Sequence, residues 1–477
     1  MSFSFNKTKI IATVGPACNK KEQLWQLIQA GVDVFRLNFS HGTQKGHQEV
    51  IKYIRELNET HQRNICILQD LQGPKIRTGE VENNGVEVQT GQKLFITTED
   101  KVGTKKEIST TYKALSKDVK IGETILIDDG KIELKVVNKN AIKIETEVVY
   151  GGIIRTRKGI NLPNTEVSSP SLTEKDTSDL LFGLEHDVEW IALSFVRTAT
   201  DILLLRHIVQ QKGKKPRIIA KVEKPEALDN IDAIIEAADG IMVARGDLGV
   251  EVFAEEVPFY QKMIVEKCKK AAKPVIIATQ MMESMITSPR PTRAETNDIA
   301  NAVVDGADAL MLSAETATGQ FPEMVIKSMS RTIQMVEEKI ASIYHQNLAI
   351  DAKSRTFYSD SLVAAACTLA KQTDAKAIVG MTSSGYTAFR TASHRPEAHI
   401  FIFTSNRPLM NTLNLLWGVR CFFYDRFVST DDTFQDIQKI LVQTGHLVKG
   451  DVFIKMASMP IAKKQRTNAL KISMVED

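Results

Sequence analysis

The chain has 477 residues, of which 43% are hydrophobic and 25% are charged, as is ordinary for a soluble globular protein. This length exceeds what one hydrophobic core supports, so two or three domains are expected. The 61 basic and 58 acidic residues leave a net charge of +3, which gives no general attraction to nucleic acid or to an anionic membrane. Any anionic ligand must therefore be bound by local clusters of charge.

The N-terminus and the cysteines bear on the compartment. The first residues, MSFSFNKTKI, lack an apolar signal core, and no run reaches membrane-spanning length. The five cysteines are scattered, odd in number and without a CxxC pair, so we expect reduced, buried thiols rather than a metal site or disulfides. The cytoplasm is the expected compartment, and neither a membrane nor nucleic acid is an expected partner.

Eight short apolar runs alternate with amphipathic segments along the chain. They are nearly continuous in hydrophobicity, as parallel strands covered on both faces are. The runs are KIIATV, VDVFRLNF, ICILQDL, WIALSFV, RIIAKVE, GIMVAR, PVIIATQ and ADALMLS. Eight strand–helix repeats predict an α/β protein built on a TIM (β/α)8 barrel. A doubly wound open sheet is the alternative, but eight runs favour closure.

More than a hundred residues separate the third run from the fourth, far too many for a loop inside a compact domain. Apolar and polar residues alternate there, with turns at TGQ, DDGK and NKN, which predicts a small antiparallel β-barrel domain over residues 74–170. Gly73-Pro74 and Ser169-Pro170 are its expected hinges. A domain inserted at this point can close over the carboxyl-terminal rim of the barrel as a lid.

The barrel itself is predicted over residues 1–73 and 171–345. After a polar linker near residue 350, strands and helices alternate again, which predicts a C-terminal α/β domain over residues 355–477. Its segment TSSGYTA places hydroxyl groups and a glycine between a strand and a helix, and this combination suits a phosphate group. The residues of this loop are Thr382, Ser383, Ser384, Gly385 and Thr387.

A lysine and two carboxylates stand at the ends of two successive strand runs. Lys221 and Glu223 end RIIAKVE, and Asp247 follows GIMVAR. In a parallel barrel the chain returns to the same rim after each strand–helix unit, so the three charges should converge. This combination suits a hard divalent cation and a phosphorylated or enolic substrate. Gly246, preceded by Arg245, allows backbone N–H groups to approach an anion beside Asp247.

Polar side chains end the other strand runs as well. A guanidinium suits phosphate, and neutral oxygens suit a metal ion. Each segment alone is also compatible with a surface loop, a helix cap or a structural hydroxyl, but barrel enzymes build their sites from this rim. The residues are Arg36, Asn38, Ser40 and His41 in FRLNFSHG, Asp70 and Arg77 in QDLQGPKIRTG, Ser194 in ALSF, Thr279 in ATQMMESM and Ser313 in LMLSAETATG.

Taken in order, these segments resemble the pyruvate kinase family. The matching motifs are FRLNFSHG, QGPKIRTG, IAKVEKPEAL, MVARGDLG, ATQMMESM with PTRAETND, and DALMLSAETATG. The resemblance spans nearly the whole chain. It implies transfer of the phosphoryl group of phosphoenolpyruvate to ADP, giving ATP and pyruvate in the last step of glycolysis, by a homotetramer.

The resemblance also implies roles for individual residues. Glu223 and Asp247 would hold Mg²⁺ or Mn²⁺, and Lys221 would stabilise charge on the transferring phosphoryl group and the enolate. Thr279, through water and Ser313, would stand where the enolate carbon receives its proton. Further contacts are implied to the substrate by Arg36, Ser194, Arg245 and Gly246, and to the nucleotide by Arg77, His41 and Asn38.

One departure concerns potassium. Many relatives have an acidic residue at the position of Lys75 and bind potassium through the counterparts of Asn38, Ser40 and Asp70. Here Leu71 and Lys75 follow Asp70, as in the potassium-independent subgroup. A tethered ammonium near Asp70 would supply the charge that the monovalent ion otherwise provides, so we expect that potassium is not required.

Other departures concern ligands. Thr198 and Thr318 stand where relatives often carry lysine near the nucleotide. In the family, the loop at residues 382–387 holds a phosphate of a sugar-phosphate activator, but Gln465 in the tail KKQRTNALKI replaces a glycine usual in relatives that bind fructose 1,6-bisphosphate. Two alternatives stay open from the residues alone. They are another Mg²⁺-dependent barrel enzyme acting on phosphoenolpyruvate or a keto acid, as a lyase or phosphotransferase, and an inactive sensor.

Overall fold

The computed structural model describes residues 5–345, 348–426, 429–460 and 465–476. Its N-terminal part forms three parallel strands with two helices between them. Each of these strands is almost entirely buried, which explains their continuous hydrophobicity. The elements are β1 (Lys9–Thr13), α1 (Lys21–Ala30), β2 (Val34–Asn38), α2 (Gln44–His61) and β3 (Cys66–Asp70).

The chain then leaves the barrel and builds the lid domain. Strands β11, β7, β8, β9, β5 and β6 form one sheet in that order, and β10 pairs with β4 in a two-stranded sheet. A separate hydrophobic core, from Ile76 to Val167, fills the domain. Its elements are β4 (Gly85–Val88), β5 (Lys93–Thr97), β6 (Glu107–Ser109), α3 (Leu115–Asp118), β7 (Thr124–Ile127), β8 (Ile132–Lys139), β9 (Lys143–Tyr150), β10 (Gly152–Arg155) and β11 (Ile160–Asn161).

The remaining five barrel strands follow the lid. Proline opens several of the intervening helices, where its missing N–H group costs no hydrogen bond. The elements are α4 (Glu174–Glu185), β12 (Trp190–Leu193), α5 (Ala199–Gln211), β13 (Arg217–Val222), α6 (Pro225–Asp229), α7 (Ile231–Ala237), β14 (Gly240–Ala244), α8 (Arg245–Glu251), α9 (Val257–Ala271), β15 (Val275–Ala278), α10 (Arg293–Asp305), β16 (Ala309–Leu312), α11 (Ala314–Ala317) and α12 (Pro322–Lys339).

The eight parallel strands close into a barrel, as the eight apolar runs predicted. The order is β1-β16-β15-β14-β13-β12-β3-β2, with β1 paired to β2 on one side and to β16 on the other. Alternate residues such as Ile11, Val34 and Ile219 form one inner cluster. Since the side-chain period of a strand is two, the same face carries Thr13, Arg36 and Lys221 toward the carboxyl-terminal rim.

The C-terminal domain contains a five-stranded sheet in the order β19-β18-β17-β20-β21, in which β21 alone is antiparallel. Hydrophobic clusters lie on both faces of this sheet. The elements are α13 (Phe357–Gln372), β17 (Ala377–Met381), α14 (Tyr386–Ser393), β18 (His399–Thr404), α15 (Arg407–Leu413), β19 (Val419–Phe423), α16 (Thr430–Gln443), β20 (Val452–Ala457) and β21 (Ala469–Met474).

A buried ion pair fixes the C-terminal domain to the amino-terminal end of the barrel. The two Nη atoms of Arg395 lie 2.9 Å from the two carboxylate oxygens of Asp308, and Arg395 also donates to the carbonyl of Gly306. The ring of Trp417 lies 4.9 Å from the guanidinium carbon. Because both charges are buried, loss of either one would leave the other unpaired in the interface.

The five cysteines are free thiols, as predicted, and four of them are buried. Burial raises the pKa of the Cys18 thiol to about 11 and that of Cys367 to about 12, so these thiols stay protonated and unreactive near neutral pH.

Among the helices formed by the described residues, none is long and apolar enough to cross a membrane.

Candidate active site at the carboxyl-terminal rim of the barrel

Lys221 lies at the centre of the polar groups on the rim. Its Nζ is 2.8 Å from Oε1 of Glu223 and 3.3 Å from Oδ1 of Asp70, and it donates to the hydroxyl of Ser194 at 2.7 Å. The residue is only 8% exposed. Burial by itself lowers the pKa of this ammonium, but the charges of Asp70 and Glu223 outweigh burial and raise it above its usual value. Lys221 is therefore a permanent cation.

Asp70, the last residue of β3, joins two cations. Its Oδ2 accepts a 2.6 Å hydrogen bond from Nε of Arg36, and its Oδ1 faces Lys221. Burial raises the pKa of this carboxyl, yet the charges of Lys221 and Arg36 bring it below the usual range. Arg36 also donates to the hydroxyl of Thr13, so the bonds named here use only two of the five N–H donors of its guanidinium.

Glu223 and Asp247 form the acidic side of the site. Glu223 is 1% exposed and accepts a 2.6 Å hydrogen bond from the backbone N–H of Phe195. Burial raises the pKa of Glu223, Lys221 opposes that rise, and the negative charge of Asp247 adds to it. The two carboxylates are therefore close enough to repel each other, which a divalent cation between them would relieve.

The donor set fits Mg²⁺ or Mn²⁺. Within the described parts of the chain, no group of three or more His, Cys, Asp and Glu side chains is arranged to hold a metal by itself. Mg²⁺ is usually held by one or two carboxylates, with its other positions filled by water and substrate phosphate oxygens. The two rim carboxylates Glu223 and Asp247 match the protein's part of that pattern.

Left-handed backbone conformations occur at three non-glycine residues of the rim. The φ angles are +54° at Phe195, +70° at Thr279 and +54° at Gln280. Such conformations are costly for residues with a Cβ and cluster at functional sites. The hydroxyl of Thr279 accepts a 2.7 Å bond from the N–H of Gly246 and donates to the carbonyl of Ala278, which holds this turn in place.

The side chain of Arg245 is used to hold the rim together. Its two Nη atoms contact the two carboxylate oxygens of Asp298 at 2.6 and 2.7 Å, and one of them also donates to the carbonyl of Thr279. The backbone N–H of Gly246 is bonded to Thr279. These contacts give Arg245 a bracing position, and the substrate contact expected from the sequence stays a prediction.

Lys75 approaches the site from the lid side, where its nearest carboxylate partner is Asp247. Its Nζ lies 3.9 Å from Oδ1 of Asp247, whereas the ion pairs of Asp70 are with Arg36 and Lys221. The sequence predicted a Lys75 ammonium near Asp70 in place of potassium, and that role stays a prediction. Strand β3 ends at Asp70, and Gly73, with a φ of +70°, lies in the turn between Asp70 and Lys75.

A cluster of positive charge surrounds His41. Burial, and then the charges of Arg77, Lys75 and Arg36, lower the pKa of His41, which places these three cations within electrostatic range of His41. The Arg77 side chain donates to the carbonyl of Arg157 inside the lid. The cluster thus spans the opening between lid and barrel, where an anionic ligand would lie.

The other rim residues expected from the sequence have defined hydrogen bonds. Oδ1 of Asn38 accepts from the N–H of Ser40. The Ser194 hydroxyl donates to the carbonyl of Leu71 at 2.7 Å. Ser313, at the end of β16, directs its N–H to Glu315.

Three residues that hold the rim side chains in place were not predicted from the sequence. Thr13 ends β1 with a hydroxyl that contacts Arg36, Glu315 is a buried carboxylate that anchors the loop of Ser313, and Phe195 supplies an N–H to Glu223. Thr13 could have been found, because a polar group ends its strand as in the neighbouring strands. The other two act through backbone geometry, which leaves no such signal.

The loop at residues 382–387 lines a second cavity, in the C-terminal domain. The cavity has a volume of about 520 Å³, and most of its polar lining consists of serine and threonine hydroxyls, with Gln465 and Arg466 at one side. Gly385 has a φ of +87° and precedes α14. Lys463 and Lys464, which belong to the tail motif, lie outside the described residues.

This loop is connected to the strand that carries Lys221. Arg217, the first residue of β13, donates a 3.4 Å hydrogen bond to the carbonyl of Ser384, and its guanidinium lies 4.9 Å from the ring of Phe389. Lys221 stands on the same strand, at the other end. The C-terminal loop and the rim are thus connected through a single strand.

Two protein-family models match the chain. The model of the pyruvate kinase barrel domain matches residues 5–326, and that of the pyruvate kinase alpha/beta domain matches residues 360–473. The two matches cover most of the sequence and fall on the barrel with its inserted lid and on the C-terminal domain.

Individual relatives agree with these matches. Pyruvate kinase of Geobacillus stearothermophilus is 42% identical over 99% of this chain and 81% of its own length. Pyruvate kinase of Corynebacterium glutamicum is 41% identical over 99% of this chain and 98% of its own. A crystal structure of a pyruvate kinase from Cryptosporidium parvum superposes with a TM-score of 0.91 at 36% identity, covering 98% of this chain and 96% of the other.

The buried charges predict how Asp70 affects stability. Asp70→Asn should lower the free energy of unfolding near pH 7 by about 3–5 kcal/mol, because Arg36 and Lys221 then lose a buried counter-charge. The folded-state pKa of Asp70 is depressed, so its carboxylate stabilises the fold above its ordinary pKa and loses that effect as the pH falls through the folded value. The difference from the unmodified chain should therefore shrink below about pH 4.

Urea unfolding at a series of pH values measures this difference. Asp100→Asn is a suitable control, because Asp100 pairs with Lys113 in the lid and both side chains are exposed, so its loss should cost no more than about 1 kcal/mol. Equal stability of Asp70→Asn and the unmodified chain at pH 7 would contradict the assignment.

Proposed function

The chain belongs to the pyruvate kinase family and is a phosphotransferase that moves the phosphoryl group of phosphoenolpyruvate to ADP, and from this premise we propose that transfer takes place around Lys221. The reaction gives ATP and pyruvate, the last step of glycolysis. Family membership sets aside the lyase and the inactive sensor. The observation that carries the proposed site is the buried Lys221 ammonium held between Asp70, Glu223 and Ser194.

Lys221 is proposed to neutralise charge on the phosphoryl group and on the enolate oxygen. Phosphoryl transfer needs positioning and electrostatic stabilisation more than covalent chemistry. A cation that is already fixed by three partners requires little reorganisation when charge develops, which is the main advantage of a preorganised site. Its raised pKa keeps Lys221 protonated in the enzyme before the substrates bind.

Glu223 and Asp247 are proposed as the protein ligands of the divalent ion, which the family generally requires as Mg²⁺. When bound, the ion supplies Lewis-acid stabilisation of phosphate and enolate oxygens. The mutual repulsion of the two carboxylates supports this assignment. Arg36 is proposed to bind the phosphate of phosphoenolpyruvate with its remaining N–H donors, in the bidentate manner that a guanidinium allows.

The opposite side of the opening is proposed for ADP. His41, Arg77 and Asn38 are its proposed contacts, and the cluster of positive charge around His41 supports this location. Thr279 is proposed to stand where the enolate carbon receives its proton, with Ser313 connected through water. The strained backbone at Thr279 supports a functional position.

Potassium independence is proposed from the cations that lie around Asp70 and Asp247. The Asp70 carboxylate has two cations of its own, Arg36 and Lys221, and Lys75 adds a third cation near Asp247. Oδ1 of Asn38 already accepts a hydrogen bond from Ser40. The region thus has fixed positive charge where a monovalent ion would otherwise be needed.

A sugar phosphate is proposed as the ligand of the cavity in the C-terminal domain. Its hydroxyl lining and the positive φ of Gly385 before α14 support a phosphate, and the volume of about 520 Å³ accommodates a sugar ring. The link from Ser384 through Arg217 to β13 offers a route to the rim.

Assembly and compartment are proposals as well. A homotetramer is supported by exposed apolar residues on the C-terminal domain, where Tyr358 is 85% exposed and the edge strand β21 exposes Ile472 and Met474. Such an edge is a surface that usually pairs with another chain or is covered. The cytoplasm is the proposed compartment, which the five free thiols support.

The role of Lys221 predicts the kinetics of Lys221→Met. The turnover number should fall by at least about 10²-fold, because a preorganised charge is lost from the transition state. A coupled lactate dehydrogenase assay with phosphoenolpyruvate, ADP and Mg²⁺ measures it. Lys262→Met removes a lysine of α9 that pairs with Asp305 on the outside of the barrel and should retain activity. An unchanged rate in Lys221→Met would remove the proposed mechanism.

The role of Lys75 predicts the response to potassium. In tetraalkylammonium buffer free of sodium and potassium, added potassium should change the rate of the unmodified enzyme by less than about twofold. Lys75→Glu should lose about tenfold or more without potassium and regain activity when potassium is added, because the tethered charge has been replaced. Lys131→Met, a change of an exposed lid lysine, serves as the control. Strong stimulation of the unmodified enzyme by potassium would overturn the proposal.

The cavity in the C-terminal domain predicts an effect of sugar phosphates on phosphoenolpyruvate saturation. Glucose 6-phosphate, ribose 5-phosphate and fructose 1,6-bisphosphate are the probes, and at least one should lower the half-saturating concentration. Ser384→Asp should abolish the effect, because it places a carboxylate beside the bound phosphate. Thr368→Asp, on the exposed face of α13, should preserve it. No effect of any probe on the unmodified enzyme would contradict the proposed ligand.

A further inference from the structure

A second lysine–glutamate pair lies directly beside the two proposed metal ligands. Nζ of Lys224 is 2.8 Å from Oε1 of Glu251, and both residues are buried, with 1% of the Glu251 side chain exposed. Both line a cavity of about 40 Å³ that Asp247 and Lys75 also border. The mechanism described above uses neither residue. A buried pair at this position therefore has another function.

The connectivity of the pair indicates that function. Lys224 is the residue after Glu223, and Glu251 follows Asp247 by four residues in α8. Residues four apart lie on one face of a helix. The Lys224–Glu251 contact therefore joins the loop after β13 to the helix after β14, at points adjacent to the two carboxylates.

The lid contributes a third group to this contact. Nδ2 of Asn161, the last residue of β11, donates a 2.9 Å hydrogen bond to the same Oε1 of Glu251. The other oxygen, Oε2, is buried without a hydrogen-bond partner among the described residues. Glu251 is thus positioned by one barrel residue and one lid residue, and it keeps acceptor capacity toward the cavity.

We propose that the Lys224–Glu251 ion pair is a positioning device that sets the separation of Glu223 and Asp247 and so determines the affinity of the divalent-ion site. The inference rests on the metal-ligand roles proposed above. Lys224 and Glu251 are positioning residues, since they act through their neighbours and need not touch the ion. Asn161 ties the same pair to the lid.

The positions of metal ligands can vary only slightly without loss of affinity. Metal ligands must be held within about 0.5 Å of the productive geometry, and residues that orient ligands typically contribute 10- to 100-fold in affinity. An ion pair on a protein surface is too weak and too mobile for this task. A buried pair has few alternative positions, because separating the charges leaves each without a counter-charge.

The experiment measures Mn²⁺ binding to the full-length enzyme without substrates, from the electron paramagnetic resonance signal of free Mn²⁺. Lys224→Met and Glu251→Gln should each weaken binding by about 10- to 100-fold. Because a single change leaves one buried group without its partner, the double variant Lys224→Met/Glu251→Leu is measured in parallel. It removes both charges and should weaken binding to the same extent.

Two controls separate positioning from general stability and from lid attachment. Arg55→Met removes the cation from Glu189, a buried carboxylate at the opposite end of the barrel, and should leave Mn²⁺ affinity unchanged within about twofold. Asn161→Ala should also leave it unchanged, while hydrogen exchange around β11 becomes faster. If Asn161→Ala weakens Mn²⁺ binding as much as Lys224→Met does, the pair acts by holding the lid and the proposal is overturned.

Glu223→Gln tests the metal-ligand role of Glu223 separately from the positioning role of Lys224 and Glu251. This variant should lose Mn²⁺ binding altogether if Glu223 is a ligand. Retention of binding in Glu223→Gln would refute the metal site itself. Loss in Glu223→Gln together with unchanged affinity in Lys224→Met and in the double variant would refute only the positioning role. At saturating Mn²⁺ the turnover number of Lys224→Met should recover, because the defect lies in binding the ion.

Discussion

The buried Lys221 ammonium is the interaction on which the candidate site depends. It is held by Asp70, Glu223 and Ser194, which come from three different strand ends. None of these charges could be buried alone, because an isolated ion in a protein interior is strongly unfavourable. Barrel closure brings the strand ends together and allows opposite charges to compensate one another. The closed barrel thus allows these charges to be buried together. Each charge in turn requires the strand end that carries its partner to stay in place.

The charged groups also connect the domains. Lys75 and Asn161 of the lid contact Asp247 and Glu251 of the short helix α8. At the other end of the barrel, Arg217 joins the loop of the C-terminal cavity to β13, while Arg395 and Asp308 fix that domain in place. The strand that carries Lys221 therefore has a contact from the C-terminal domain at one end and the lid nearby at the other.

The sequence predicted the barrel because its strands are buried on both faces and appear as continuous apolar runs. It also predicted which residues meet at the rim, since a parallel barrel returns every strand to the same end. It did not predict the partner of Lys75, because the path of the chain after Gly73 depends on packing against Ser194 and Phe195. The bracing position of Arg245 depends on Asp298, which lies in α10, more than fifty residues away.

What the sequence alone determined is therefore the set of chemical groups and the end of the barrel at which they meet, because strand periodicity and parallel topology are properties of the chain itself. Tertiary structure decided which charge faces which, where the backbone is strained, and that Lys224, Glu251 and Asn161 form one contact next to the proposed metal ligands. Those features arise from distances between segments that are remote in sequence, and no local pattern of residues encodes such distances.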